Sequence, residues 1–583
     1  SAEQLDMGLM AELAQRLHIG AGVRRLLDEL DPKGGVHDLS AKWQGPLDAP
    51  SHYQVKAEIK GMAMAPSVSP EPGGIGRPGW RGADLAIQAT EAGGQAQLSL
   101  RDGALELPGV FEKPLVSLRR FAGVLTWRIE PVAGAAPRVE LKVNSARFEN
   151  EDAQGELEAT WHAGPGTGFG KGKRLPGVLE LSGRLSNGKA TQVARYLPLG
   201  IPTQARDYVR HAVLAGKVNS ASFKVKGDLW EFPFVQRSEG EFRIAGQVQD
   251  VQLAYVPSTP AAPGAPAWNS PWPAFSSISG ELVFDRTSMQ IQQAKARLWG
   301  LELFEVKGGI RNLAEHATLE IDGRARGPAA DFIRYVNVTP VGEWIGRGLA
   351  QASADGSAEL KLALSLPLEK LEQSKVNGTV LLQGGDVRIR PDTPLLGAAR
   401  GRVEFTQQGV HVNAQVRSLG GEAQVEGGSQ PDGSLRFTAS GTASAEGLRR
   451  AGELGMVSRW AARASGQAPY RVVLTLPRGY PEVLVTSPLT GMALDLPAPL
   501  GKPAEPALPL RVQISLAPES RAAGAPLHDQ LRVDLGNLLA AQYLRDVSGS
   551  EPRVLRGVVA MGTGLPELAP GVRGVADLGA VSA

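Results

Sequence analysis

Residues 204–227 read QARDYVRHAVLAGKVNSASFKVKG, and this stretch decides the fold. Ala205, Tyr208, Val209, Ala212 and Val213 recur at the spacing of one helix face, with Pro202 near the start and Gly216 past the end. After the glycine the period drops from 3.6 to 2, as in a strand with one dry side. The same order of amphipathic helix, glycine and alternating strand returns at 22–45 (GVRRLLDELDPKGGVHDLSAKWQG), 341–364 (VGEWIGRGLAQASADGSAELKLAL) and 456–476 (MVSRWAARASGQAPYRVVLTL). Self-similarity at long spacing implies a modular, elongated chain rather than one compact enzyme domain.

Outward from these copies the repetition lengthens. LELSGRLSNGKATQVARYL (179–197) parallels LEIDGRARGPAADFIRYV (319–336), which adds a strand and a link before the helix. GELVFDRTSMQIQQAKARLWGLELFEVKGG (280–309) parallels GRVEFTQQGVHVNAQVRSLGGEAQVEGG (401–428), and both predict successive hairpins. Elsewhere Tyr53, Val55, Ala57 and Ile59 alternate with Gln54, Lys56, Glu58 and Lys60, and Val139, Leu141 and Val143 alternate with Glu140, Lys142 and Asn144. Antiparallel meanders with one solvated face follow. Four repeat units are expected, at 1–178 with N-terminal helices, 179–318, 319–434 and 435–583, as one continuous module. They are lengthened by Pro-, Ala- and Gly-rich surface loops at 65–79, 163–177 and 257–273.

Composition narrows the function. There is no cysteine, which removes disulfides, thiol nucleophiles and cysteine zinc sites. Net charge is +2 from 62 basic and 60 acidic residues with no basic stripe, so nucleic acid is not an expected partner. No stretch approaches the ~20 apolar residues that cross a bilayer. The chain starts SAEQLDMGLM, without an initiator methionine, basic region or apolar core of a signal, and reads as a fragment whose anchor lies elsewhere. With 71 glycines among 583 residues, about 12%, the chain is rich in turns between short strands.

Catalytic signatures are weak. HAGPGTGFGKGKR (162–174) resembles a phosphate loop until its spacing is checked: Pro165 stands five before Gly170, and Gly172 rather than Ser or Thr follows Lys171. A flexible hairpin loop is the better reading. The eight histidines are scattered without ligand spacing, no G-x-S-x-G elbow exists, and neither metal nor cofactor is expected. The chain is read as no enzyme. In GDLWEFPF (227–234), Trp230, Phe232 and Phe234 share one side if the segment is extended, either to grip an apolar ligand or to cover the neighbouring helix. Pro233 favours an edge or an irregular strand.

A one-sided sheet must cover its dry face with something. Four helices of about 15 to 20 Å each fall short of some 25 to 30 strands, which at ~4.8 Å spacing extend on the order of 120 to 140 Å. The expected fold is therefore mainly β: an elongated, repetitive antiparallel sheet curled into an open groove, with short amphipathic helices at intervals. Its candidate lining is Phe223, Val225, Trp230, Phe232, Phe234, Phe242, Ile244, Val251, Leu253, Tyr255, Leu282, Phe284, Met289, Ile291, Val403, Phe405, Val410, Val412 and Val416. Acyl chains suit such a trough, since each buried methylene contributes about 0.8 kcal/mol.

RYLPLGIPTQARDYVRHAVLAGKVNSASFKVKGDLWEFPF (195–234), the following GEFRIAGQVQDVQLAYVP, WPAF and GELVFD, and VTSPLTGMALDLPAPLGKPAEPALPLRV (485–512) resemble the AsmA-like family, bridge-like lipid transfer proteins of Gram-negative bacteria. The likeness extends from Leu5 to about Val512. It implies a periplasmic segment, tethered to the inner membrane by a part missing from this chain. That segment would shield phospholipid in a long β-groove for transfer between inner and outer membranes. It brings no nucleotide, no metal and no catalytic residues. The competing expectations are a non-catalytic scaffold of the cell envelope and an elongated β enzyme acting on polysaccharide.

Overall fold

The computed structural model describes residues 2–16, 21–46, 50–69, 74–261, 264, 266–477, 480–522, 525–549 and 552–577. Parts of two expected surface loops, 70–73 and 262, 263 and 265, lie outside the described residues. The architecture is mainly β, an open antiparallel sheet with short helices between strands. The chain divides into two compact units: Ser1–Leu298, Phe304–Ile321 and Pro367–Leu371 form the first, and Trp299–Leu303, Asp322–Leu366 and Glu372–Ala583 the second.

In the first unit the strands follow chain order as β1 (Ala2–Asp6), β2 (Lys33–Gln44), β3 (His52–Met64), β4 (Gly79–Thr90), β5 (Gly93–Glu106), β6 (Leu115–Val132) and β7 (Ala135–Glu149). They continue as β8 (Gln154–His162), β9 (Val178–Lys189), β10 (Val213–Asp228), β11 (Gly240–Leu253), β12 (Phe275–Asp285) and β13 (Ser288–Leu298). Each pairs antiparallel with the next. Helices α1 (Met7–Arg16) and α2 (Ala21–Leu30) separate β1 from β2. A 3-10 segment (Ala190–Tyr196) and α3 (Thr203–Ala212) separate β9 from β10.

Residues of β14 (Leu301–Ile310) and β15 (Thr318–Pro328) fall in both units. The second unit opens with α4 (Ala329–Val338), α5 (Val341–Trp344), β16 (Ser353–Ala354) and β17 (Ser357–Pro367). Then come β18 (Lys375–Arg388), β19 (Leu396–Thr406), β20 (Gly409–Ser418), β21 (Gly421–Ser429), β22 (Leu435–Ser444), α6 (Ala445–Arg450), α7 (Met456–Trp460) and β23 (Ala464–Leu476). It closes with β24 (Glu482–Ser487), β25 (Met492–Leu494), β26 (Leu510–Leu516), β27 (His528–Leu535), β28 (Leu539–Asp546), β29 (Arg553–Met561) and β30 (Gly571–Ala576). From β17 the order is again sequential, except that β25 steps aside to pair with the start of β23 and β24 joins β26. The last pairing, β29 with β30, is parallel.

The repeated phrase is visible as α2 into β2 and α3 into β10, as its periodicity predicts. In the third copy the helix is shorter than Val341, Trp344, Ile345 and Leu349 imply. It stops after Trp344, because Gly346 and Arg347 take φ of 62° and 56°, which an α-helix cannot contain. The two hairpins expected over 401–428 are β19 with β20 and β20 with β21.

Cores are small and local. Ala83, Leu100 and Leu118 form one, with Met62, Leu85, Leu98, Phe121 and Phe148 packed around them. Ala399, Val416 and Ala423 form another with Leu382, Leu396 and Tyr470. Leu100→Ala should therefore cost about 2 to 5 kcal/mol in denaturant melts. Trp43→Ala, at a side chain 53% exposed, should change stability by less than about 0.5 kcal/mol.

Candidate functional site

The site is a face rather than a cleft. Backbone pairing lines up one residue from every strand, and the side of the sheet it points to is fixed by the pleat. In the first unit one such row runs Met289, Phe284, Ile244, Phe223, Gly183, Leu157 and Ala146. Past a register shift it resumes as Gly123, Leu98, Leu85, Ile59, Val36 and Leu5. A parallel row contains Ile291, Leu282, Gly246, Ala221, Leu185, Gly155, Phe148, Phe121, Leu100 and Ala83. On its other side lie Phe242, Val225, Leu181, Ala159, Val143, Leu125, Ala96, Ile87 and Ala57. No charged residue interrupts any of the three.

The second unit repeats the pattern. Its row is Leu360, Val380, Val403, Val412, Gly427, Phe437, Leu474, Val483, Ile514, Leu531, Tyr543, Gly557 and Val572. Displaced by one residue, the same strands present Lys361, Thr379, Glu404 and His411 on the opposite side.

Within the first unit, pairing therefore places Phe223, Val225, Phe242, Ile244, Leu282, Phe284, Met289 and Ile291 on one apolar face. Val403, Phe405, Val410 and Val412 share a face in the second unit, and Val416 joins the small core with Ala399 and Ala423. Val251 and Leu253 lie past a register shift in β11, opposite Ile278 and Phe275. Tyr255 follows the end of β11, its ring stacked on Phe275 at 4.9 Å. GDLWEFPF is not extended: Leu229–Glu231 form a 3-10 turn, so Trp230, Phe232 and Phe234 do not alternate. Trp230 turns edge-on to Phe169 at 5.7 Å, while Phe232 contacts both Phe234 at 5.8 Å and Phe242 at 5.1 Å. Phe234 is fully buried. Leu85, Leu98, Phe148, Phe437 and Tyr543 also occupy the rows, beyond the lining expected from the sequence. Their own alternation, as in Leu98 and Leu100 around Ser99, is the signal that marks them.

What covers this face is limited. Met7 and Met10 of α1 pack on Val36, Ala57 and Ile59, and most other row residues are half-buried. The accessible surface is 34196 Å², whereas a single compact protein of 61.5 kDa exposes about 20,000 Å² and two separate halves about 24,000 Å². A sheet covered on one side only leaves an excess of this kind.

The opposite face is laced with cross-strand ion pairs, Lys224 to Glu241 at 2.7 Å, Lys226 to Glu180 at 3.1 Å and Lys60 to Asp84 at 3.4 Å. Such exposed pairs set polarity more than stability. At the start of β3, His52 meets Glu91 at 2.7 Å and the Tyr53 amide donates to it at 3.0 Å. Together, His52 first, they hold the Glu91 carboxyl down at about 2. The glycine loop with phosphate-loop likeness is folded onto residues 228–231. Lys171 pairs with Glu231 at 2.5 Å, and the Gly172 amide donates to Asp228 at 3.3 Å. Among the described residues no group of three or more His, Cys, Asp or Glu could hold a metal ion, and no helix is long and apolar enough to cross a membrane.

The family described as YhdP protein matches residues 1–576. The intermembrane phospholipid transporter YhdP of Escherichia coli (strain K12) is 23% identical over 222 residues, 38% of this chain and 16% of that relative's length. No solved structure matches.

Two measurements check this geometry. Because the folded pKa of Glu91 is depressed, its contribution is present above about pH 4.5 and is lost as pH falls toward 2. The gap in melting temperature between the parent and Glu91→Gln should close over that window. Phe234→Ala should cost about 3 to 5 kcal/mol in denaturant melts, the range for an emptied aromatic site.

Proposed function

The chain belongs to the YhdP family, and on that premise we propose that it is a periplasmic stretch of a protein carrying phospholipid between inner and outer membranes. A segment outside this sequence would tether it to the inner membrane. The observation that supports this reading is the unbroken apolar row in each unit, thirteen strands from β17 to β30 in the second, lying on a face without a full second layer.

Acyl chains fit such a surface. Burial stabilises them in proportion to area and without directional contacts, at about 0.8 kcal/mol per methylene. A phosphate headgroup would lose its hydration on that face and stays at a margin in water. Transfer needs many near-equal positions rather than one deep well, and rows of Val, Leu, Ile, Phe and Ala offer that. In this reading the sheet curves into a groove. The four repeat units, 1–178, 179–318, 319–434 and 435–583, each supply a length of its floor. Of the residues singled out from the sequence, those that keep exposed surface on the rows belong to that lining, while buried ones such as Phe234 and Val416 pack beneath it. No step in this role breaks or makes a covalent bond.

Purification in mild detergent-free buffer followed by solvent extraction should recover phospholipid from the parent chain. Phe284→Asp and Val412→Asp place a charge in the middle of a row. Each should lower the bound lipid roughly tenfold, the effect of about 1.4 kcal/mol, with unchanged circular dichroism. Reproducible absence of lipid from the parent, with side chains closing the interior, would instead favour a scaffold of the cell envelope.

A further inference from the structure

Aromatic side chains and glycines face each other directly across neighbouring strands of the apolar face. Phe405 is the strand partner of Gly378, Tyr543 of Gly557, Phe223 of Gly183, Phe148 of Gly155 and Trp127 of Gly94. In every pair the ring lies where the glycine's side chain would be. A Cβ on Gly378 would fall 2.5 and 2.6 Å from Phe405 Cε2 and Cε1, and one on Gly557 2.6 and 2.8 Å from Tyr543 Cδ1 and Cε1. The three atoms nearest to either position all belong to side chains, and neither glycine needs a left-handed backbone. The reason for glycine there is the ring, not the turn of the chain. Although the face lacks a full second layer, all five rings are only half-exposed at most, as rings laid on the backbone are.

A ring that stands up from a sheet projects several ångströms further than Val or Leu. Across rows of small and branched side chains it would form a ridge transverse to the strand-to-strand direction. We infer that these glycines are positioning residues that keep the aromatic rings folded down, so that the apolar face stays shallow enough for an acyl chain to lie along it. The inference rests on the lipid reading above and adds a determinant to it: depth is set by aromatic and glycine pairs, not by a contact to lipid.

The test uses the full chain, with bound phospholipid measured by extraction and phosphorus assay and uptake followed with a phosphatidylethanolamine bearing a fluorescent acyl chain. Gly378→Val and Gly557→Val should each lower both by about fivefold while circular dichroism is retained. Phe405→Leu, which removes the ring but keeps an apolar side chain on the face opposite the glycine, should lower both far less than Gly378→Val does. The double variant Gly378→Val with Phe405→Ala should recover most of the loss. A folded Gly378→Val that holds parental lipid would overturn the inference, as would Phe405→Leu depleted as severely as Gly378→Val, because the ring would then be gripping lipid itself. If neither valine variant folds, the Phe405→Leu arm alone decides in the same two directions. A parent that binds no lipid removes the lipid reading and this inference together, whereas a lipid-loaded parent with indifferent variants removes only the inference.

Discussion

The backbone ladder is the constraint on which everything else depends. Side chains on a strand alternate faces with a period of two, so a slip of one residue anywhere would move a whole strand's apolar set to the wet side. Phe284 opposite Ile244 opposite Phe223 is meaningful only because the pairing of β10, β11 and β12 holds all three in phase. Cross-strand apolar contacts and the ion pairs on the other face both reward the same register. Neither Lys224 with Glu241 nor Phe223 with Ile244 would form in the shifted one.

Long strands strain this requirement, and the chain relieves it with bulges. In β11 the face changes parity between Val248 and Val251, where Asp250 takes a φ of 52°. In β7 Ser145, at 47°, lets Val143 and Ala146 point the same way. In β2 Asp38, at 51°, does so between His37 and Ser40. An extra residue in the left-handed region absorbs the mismatch, and the dry row resumes in phase beyond it. Bulges also add local twist, which a curved floor would draw on.

These bulges mark the limit of what the sequence discloses. Strand identity and the dry face are legible in residues 53–59, where burial alternates as the residues do. The helix Thr203–Ala212 and the strand that follows it are equally plain, although Val213, which continues the helical spacing, is already the first residue of that strand. Val251 and Leu253 are not, because Asp250 is as ordinary a wet-face residue as it is a bulge former. The aromatic cluster at 229–234 escapes for a similar reason: alternation promises one row, yet the 3-10 turn at Leu229–Glu231 sends Trp230 to Phe169 and Phe232 to Phe242. The pairing of rings with glycines is invisible in one dimension, since Phe405 and Gly378 are 27 positions apart and only the ladder brings them together.

A surface that works by continuity distributes its function differently from an active site. Catalysis concentrates free energy in a few oriented groups, so that one substitution can abolish it. Hydrophobic contact with a chain is additive and non-directional, and exchanging Val for Ile or Leu along a row changes it little. What such a surface does not tolerate is interruption, by a charge that must be desolvated or a bulk that stands above its neighbours. Selection on a face of this kind would preserve polarity and height at each position rather than residue identity. That is why the informative residues here include glycines.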